Sequence, residues 1–84
     1  MYFVYILRTS GNTLYIGQTN NLARRLAEHK SKSVRGAKYI RSFDFFELVY
    51  TEKFKTRTEA IQREYQLKQL PKVDKEKLVE MWKM

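Results

Sequence analysis

The chain opens on a run, Tyr2-Phe3-Val4-Tyr5-Ile6-Leu7-Arg8, that is almost wholly apolar, aromatic or β-branched. A run without polar alternation predicts a strand covered on both faces, at the centre of a sheet. Ser10-Gly11-Asn12 is turn chemistry, and Thr13 to Gly17 reads as a second strand, so the two form an antiparallel hairpin. The spacing then turns helical from about Asn21 to Lys30, with Thr19 or Asn20 as N-cap. Ser31 to Ser42 is polar and basic around Gly36, and reads as a loop or a short irregular helix. Strand character returns over Phe45 to Thr51. A second helix is predicted over Arg57 to Gln69, where Thr56 and Glu59 have the spacing of a capping box. Pro71 stops it, and Val73 to Trp82 form a last helix with Leu78, Val79 and Trp82 on its apolar side. The order β-β-α-β-α-α predicts an α+β domain, a small three-stranded antiparallel sheet flanked by helices.

Length limits this plan to one domain over residues 1–84, since a chain of this size buries only about 60% of its unfolded surface. A hydrophobic fraction of 43%, with 14% aromatic residues, is enough for a core and argues against disorder. The absence of cysteine excludes disulfides and thiolate metal sites and fits a cytoplasmic setting. No apolar run approaches the ~20 residues of a membrane span. The first residues lack a basic leader and a small-residue cleavage site, so they read as a strand, not a signal peptide. Seventeen Lys and Arg against nine Asp and Glu leave a net charge of +8, which points to a polyanionic partner such as nucleic acid.

Three places carry candidate chemistry. Tyr5 and Tyr15 lie in adjoining strands, where antiparallel pairing can set them side by side on one face. Strand tyrosines are also ordinary packing residues with a hydrogen-bonded hydroxyl. On the first helix Leu22 and Leu26 form the apolar stripe, with His29 about 20° and Arg25 about 60° from Leu22, while Arg24 points away. Arg25 and His29 thus sit at the rim of the buried face, either facing a cleft or, in the simpler reading, snorkelling and capping the helix end. On the second helix Glu64 falls inside an apolar arc, with Ala60 and Leu67 on one side and Ile61 and Tyr65 on the other. A carboxylate placed there needs compensation, from Lys68 at i+4 or from a bound divalent cation.

With these residues in place the chain resembles the GIY-YIG nuclease superfamily. Phe3-Val4-Tyr5 and Tyr15-Ile16-Gly17 are similar to its two signature triplets. Gln18-Thr19 extend the second triplet, Arg24-Arg25-Leu26 and Glu28-His29 are similar to the helix that follows it, and Ala60, Glu64 and Lys68 to a later helix, with Gly36-Ala37-Lys38 between them. The match runs from about Tyr2 to Leu78 and is nearest to the small stand-alone bacterial members. Phe3 stands where the family name has glycine, and Gln18 where some relatives carry lysine.

The resemblance implies hydrolysis of a phosphodiester by an activated water, with one divalent ion, Mg²⁺ or Mn²⁺, held by Glu64. Mg²⁺ keeps most of its waters and needs only one or two carboxylates. Arg25 would clamp the phosphate with its planar fork. Tyr15 would act as general base, with Tyr5 orienting the water or sharing that role and His29 assisting. A free phenol is only about 0.1% ionised at pH 7, so the surroundings must help it. Gly17 would let the phosphate backbone approach the strand. Lys30, Lys32, Arg35, Lys38 and Arg41 would track a nucleic-acid backbone, DNA before RNA, or else form a solvated basic loop. A monomer or weak dimer is expected. Two other readings stand beside the enzyme: a non-catalytic nucleic-acid-binding module, and an interaction or structural protein whose charge serves solubility.

Overall fold

The computed structural model describes residues 1–31 and 43–83. The segment read as a loop or irregular helix lies, beyond Ser31, outside them; so do Lys32, Arg35, Gly36, Lys38 and Arg41. Strand β1 (Tyr2–Thr9) pairs antiparallel with β2 (Leu14–Thr19) on one side and with β3 (Phe46–Phe54) on the other, giving the sheet order β2-β1-β3. Helix α1 (Leu22–Lys30) follows β2, and α2 (Arg57–Gln69) and α3 (Lys72–Lys83) follow β3. This is the α+β architecture and element order that the hydrophobic pattern predicts. No helix among the described residues is long and apolar enough to cross a membrane.

The central place of β1 explains its unbroken apolar run. Val4 and Ile6 face one side and join Ile16, Val49, Ala60, Leu67 and Val79 in an aliphatic core beneath α2 and α3. Tyr5 and Leu7 face the other side and pack with Tyr15, Leu22, Leu26, Phe46 and Leu48 beneath α1. A bulge in β3 opposite the Ile6–Leu7 step inserts Val49 between Tyr50, paired with Ile6, and Leu48, paired with Leu7. Val49 and Tyr50 therefore both serve the aliphatic side.

Pairing with β1 also corrects strand lengths. β2 runs on to Thr19, opposite Phe3, and β3 to Phe54, opposite Tyr2, because backbone ladder bonds carry polar residues into strands that hydropathy alone ends early. In the hairpin, Asn12 takes a left-handed φ of 60°, which its short polar side chain tolerates. Its Oδ1 accepts from Arg8 Nη1 at 3.0 Å.

The cap of α1 is Asn21, not Thr19 or Asn20: its Oδ1 accepts from the Arg24 N–H at 3.0 Å. Thr19 instead turns the chain into the cap, with its Oγ1 accepting from the Asn21 N–H at 3.1 Å. The capping box of α2 forms as its spacing predicts: Thr56 Oγ1 accepts from the Glu59 N–H at 3.2 Å, and Glu59 Oε1 from the Thr56 N–H at 3.2 Å. Leu70 leaves α2 extended, as a residue before proline should. The Pro71 carbonyl then accepts from the N–H groups of Asp74 and Lys75 and opens α3. Arg8 forks onto both oxygens of Glu76 at 2.6 and 2.9 Å, tying α3 to the end of β1.

The apolar arcs of the two later helices are narrower than the sequence pattern implies. Ala60 and Leu67 are buried, but Ile61 and Tyr65 are exposed, since they lie about 100° round the helix from Ala60 and Glu64. On α3 Val79 is buried and Leu78 packs beside it, whereas Trp82 is exposed.

Candidate active site

Of the five candidate side chains Tyr5, Tyr15, Arg25, His29 and Glu64, the first four meet on the α1 side of the sheet. Tyr5 pairs with Gly17, and Leu7 with Tyr15, so the two tyrosines are diagonal neighbours on one face with ring centroids 6.4 Å apart. His29 is not at the rim of the buried face but inside it, with 1% of its surface exposed. One turn of helix beyond Leu26 brings its ring beneath the sheet, edge-on to both tyrosines at 6.1 and 5.8 Å and to Phe46 at 6.0 Å. Its Nε2 is 3.1 Å from the Tyr5 hydroxyl. Arg25, partly exposed, donates to Glu28 Oε1 at 3.1 Å and acts electrostatically on the Tyr5 hydroxyl. Arg24 is exposed, and among the described residues its guanidinium reaches Asn20.

This packing sets the protonation states. Burial, only partly offset by the Arg25 guanidinium, pushes the Tyr5 phenol up to about 12, and the charges of Tyr15 and Glu64 act in the same direction. Burial and the neighbouring Arg25 charge lower His29 below the ordinary imidazole range, against a smaller pull from Glu28. Arg25 pays for partial burial, yet its interactions with Tyr5 and Glu28 hold its proton more firmly than usual. Near neutral pH the cluster thus comprises a neutral phenol, a neutral imidazole and a fixed guanidinium.

Glu64 comes from the other side of the sheet. It lies between Ala60 and Leu67 on the inner stripe of α2, but its carboxylate is not sealed off: the side chain keeps 22% of its surface, and Lys68 Nζ stands 3.3 Å away. The ion pair, the simpler of the two compensations expected from the sequence, is formed. Its position matters more than its burial. Lys68 lines a groove of about 250 Å³ together with Tyr15, Leu14, Ile16 and Lys75. A residue from the α1 face and one from the α2 helix thus border the same space at the open edge of β2. Tyr5 crosses towards that edge as well, since its hydroxyl lies 2.5 Å from where a β-carbon on Gly17 would stand, and it feels the Glu64 charge.

Comparison with known proteins places the domain in a family. The family model described as the GIY-YIG catalytic domain matches residues 1–77. The chain belongs to the GIY-YIG family. It is 48% identical over 79 residues to a UPF0213 protein of Oceanobacillus iheyensis, covering 94% of this chain and 90% of that protein. Identity to a UPF0213 protein of Natronomonas pharaonis is 45% over 78 residues, covering 93% and 89%. The solution NMR structure of a UPF0213 protein from Bacillus halodurans superposes with a TM-score of 0.61 at 39% identity, over 96% of this chain and 85% of that one. GIY-YIG domains make up a nuclease superfamily, whereas the UPF0213 names specify no activity.

Within this GIY-YIG domain two sequence readings change. The space above Gly17, assigned from the sequence to an approaching phosphate, is filled by the Tyr5 ring. The second-triplet glycine thereby lets the first-triplet tyrosine lie across β2. Phe3 is only half-buried, with Lys53 Nζ 5.9 Å from its ring centroid. Lys30 is exposed at the end of α1 and borders a cavity that His29 also lines. Two residues had no role in the sequence reading. Glu28, which steadies Arg25, was detectable as an i,i+3 partner; Lys75 was not, because only the turn at Pro71 brings it beside β2.

The donor set bears on the divalent ion that the family implies. Among the described residues no three His, Cys, Asp or Glu side chains cluster, so a closed cage of protein ligands does not fit. Glu64 alone, partly exposed and paired with the groove-lining, half-exposed Lys68, fits an ion that keeps its waters and binds through one carboxylate.

Proposed function

We propose that residues 1–84 form a single-domain endonuclease that hydrolyses phosphodiester bonds in nucleic acid, DNA before RNA, with one Mg²⁺ or Mn²⁺ held by Glu64. It acts in the cytoplasm as a monomer or weak dimer. The observation that carries this reading is the meeting at the β2 edge. Tyr5, Tyr15, Arg25 and His29 arrive over one face of the sheet and Glu64 from the other, and Tyr15 and Lys68 line a common groove.

Tyr15 is the general base, and two facts about its neighbour support that choice. The Tyr5 phenol is pushed up to about 12 and its hydroxyl is committed to His29. Tyr5 is thus better suited to orienting the attacking water than to deprotonating it. Arg25, whose charge is fixed, holds the phosphate oxygens. His29 keeps Tyr5 in place. Glu64 would hold the divalent ion, which would supply Lewis-acid chemistry to the phosphate and the leaving oxygen. Lys30 adds backbone attraction, as do Lys32, Arg35, Lys38 and Arg41 in the same reading.

The Glu64–Lys68 ion pair favours a second reading, a nucleic-acid-binding module without catalysis, because the carboxylate already has a partner. Incubation with labelled DNA and RNA structures, in Mg²⁺ or Mn²⁺ against chelator, separates the two. The enzyme reading expects metal-dependent cleavage, reduced at least about 100-fold in Tyr15→Phe, Arg25→Ala and Glu64→Ala at unchanged far-UV circular dichroism. Near-wild-type cleavage in any one variant removes that residue from the site. Salt-sensitive binding without cleavage supports the module.

A further inference from the structure

Two grooves flank the candidate site along one line. The first, beside the start of β2, is the one bordered by Tyr15, Lys68 and Lys75. The second, of about 280 Å³, is bordered by Tyr2, Gln18, Thr19, Asn20 and Arg57 at the end of β2. Together they fix how α2 lies. Its first residue, Arg57, is next to the end of β2, and Lys68, near its last turn, is next to the start, so α2 runs antiparallel to β2. The lengths agree: eleven helical steps from Arg57 to Lys68 cover about 16 Å, and the six residues of β2 about 17 Å. Glu64, one turn before Lys68, then falls beside the middle of the strand, where Tyr5 crosses Gly17.

β2 is an edge strand, so one side of its backbone is unpaired by the sheet. The cations along it are little neutralised. Among the described residues Arg57 and Lys75 have no ion-pair partner, and Lys68 has only Glu64. Nearby Glu76 is taken up by Arg8, and Glu59 by the cap of α2. The geometry points to a backbone track. We propose that a nucleic-acid strand runs along the β2 edge, with Arg57 holding a phosphate on one side of the scissile position and Lys68 and Lys75 holding one on the other. A line of about 17 Å spans several phosphates of one strand, which follow one another at about 3.4 Å along a duplex axis. This placement rests on the nuclease reading and extends it. Positive residues of α2 and α3, remote in sequence from α1 and the basic segment after it, become part of the substrate surface.

The test is binding without cleavage. Labelled DNA and RNA duplexes are titrated with the full-length protein in chelator at several salt concentrations. Each phosphate contact contributes about 0.9 to the slope of log K against log salt. On whichever duplex binds, Arg57→Ala and Lys75→Ala should each lower the slope by about that amount and the double variant by about twice as much. Lys53→Ala, exposed on the opposite edge strand, should leave it unchanged. If the Arg57→Ala and Lys75→Ala slopes match wild type, the track is wrong, and wild-type cleavage in the assay above would show the nuclease reading still standing. Absence of any salt-dependent binding by the wild type overturns both.

Discussion

The two faces of the sheet are built from the same strands and behave as different materials. On the α2 and α3 side, Val4, Ile6, Ile16, Val49, Ala60, Leu67 and Val79 make a core of aliphatic groups, with no hydrogen bonds to satisfy. On the α1 side the buried positions include Tyr5, Thr9 and His29. Each of these needs a polar partner and has one: Tyr5 and His29 have each other, and Thr9 Oγ1 is 2.7 Å from Thr13 Oγ1. Among the described residues no buried side-chain nitrogen or oxygen lacks a partner. One face is suited to holding the chain folded; the other trades part of that cohesion for positioned hydroxyl, imidazole and guanidinium groups. Strand alternation lets a single segment, Val4 to Leu7, supply both.

A large-to-small change in the aliphatic face should break the comparison most severely. Leu67→Ala removes a fully buried side chain from α2 and is expected to cost about 2–5 kcal/mol. In a domain this small that is a large part of the total stability. Denaturant unfolding should show a sharply lowered midpoint, with any activity lost along with the fold. The α1-side substitutions Tyr15→Phe and Arg25→Ala should do the reverse, leaving the midpoint close to wild type while removing cleavage. If both sets lower stability alike, the division between a cohesive face and a chemical face is wrong.

Gly17→Ala probes the point where the two roles meet. The added β-carbon would stand 2.5 Å from the Tyr5 hydroxyl oxygen and 2.6 Å from its ring carbon Cζ. Tyr5 cannot swing away cheaply, because it is buried and bonded to His29. Overpacking of this kind costs about 1–3 kcal/mol. The expected result is a Tm lowered by less than in Leu67→Ala, together with a loss of cleavage larger than that drop explains. A Tm and an activity both equal to wild type would mean that the ring has room to move and that its placement is not fixed by Gly17.

How far the sequence foretells these features depends on the range of the forces that fix them. Local rules serve well where the structure is local: the unbroken apolar run of β1, the hairpin, the Thr56–Glu59 cap and the helical stripe of Leu22 and Leu26 all appear where the pattern puts them. The pattern fails where tertiary contacts decide. β2 and β3 are lengthened by their partner strand. Ile61, Tyr65 and Trp82 look like core on a helical wheel and are exposed, because the sheet covers only a narrow stripe of each helix. Of the candidate site, the residue types were visible and the encounter was not. The helical wheel brings His29 only to the rim of the apolar stripe, and nothing local indicates that the sheet face closes over it or that Gly17 makes way for Tyr5. Nor does local sequence reveal that Lys68 and Lys75 share a groove with Tyr15.

The smallest effect tests whether the α1 face is as intolerant of charge as its burial implies. His29 is buried with its pKa lowered by desolvation and by Arg25, whereas in the unfolded chain it titrates near 6.5. At pH values above that, the imidazole is neutral in both states and contributes no pH dependence. As pH falls below about 6.5 the unfolded state takes up a proton that the folded state resists, so stability declines until pH reaches the lowered folded value. Thermal unfolding followed from about pH 7.5 to about pH 5 should therefore show a falling Tm in the wild type. In His29→Gln, which keeps a polar side chain and cannot titrate, that part of the slope should be missing, and only the carboxylate titrations common to both proteins should remain. Equal slopes would mean that protonated His29 is accommodated where it stands. The Tyr5–His29 contact would then be able to carry a charge, and the face would hold two cations, His29 and Arg25, in mildly acidic solution.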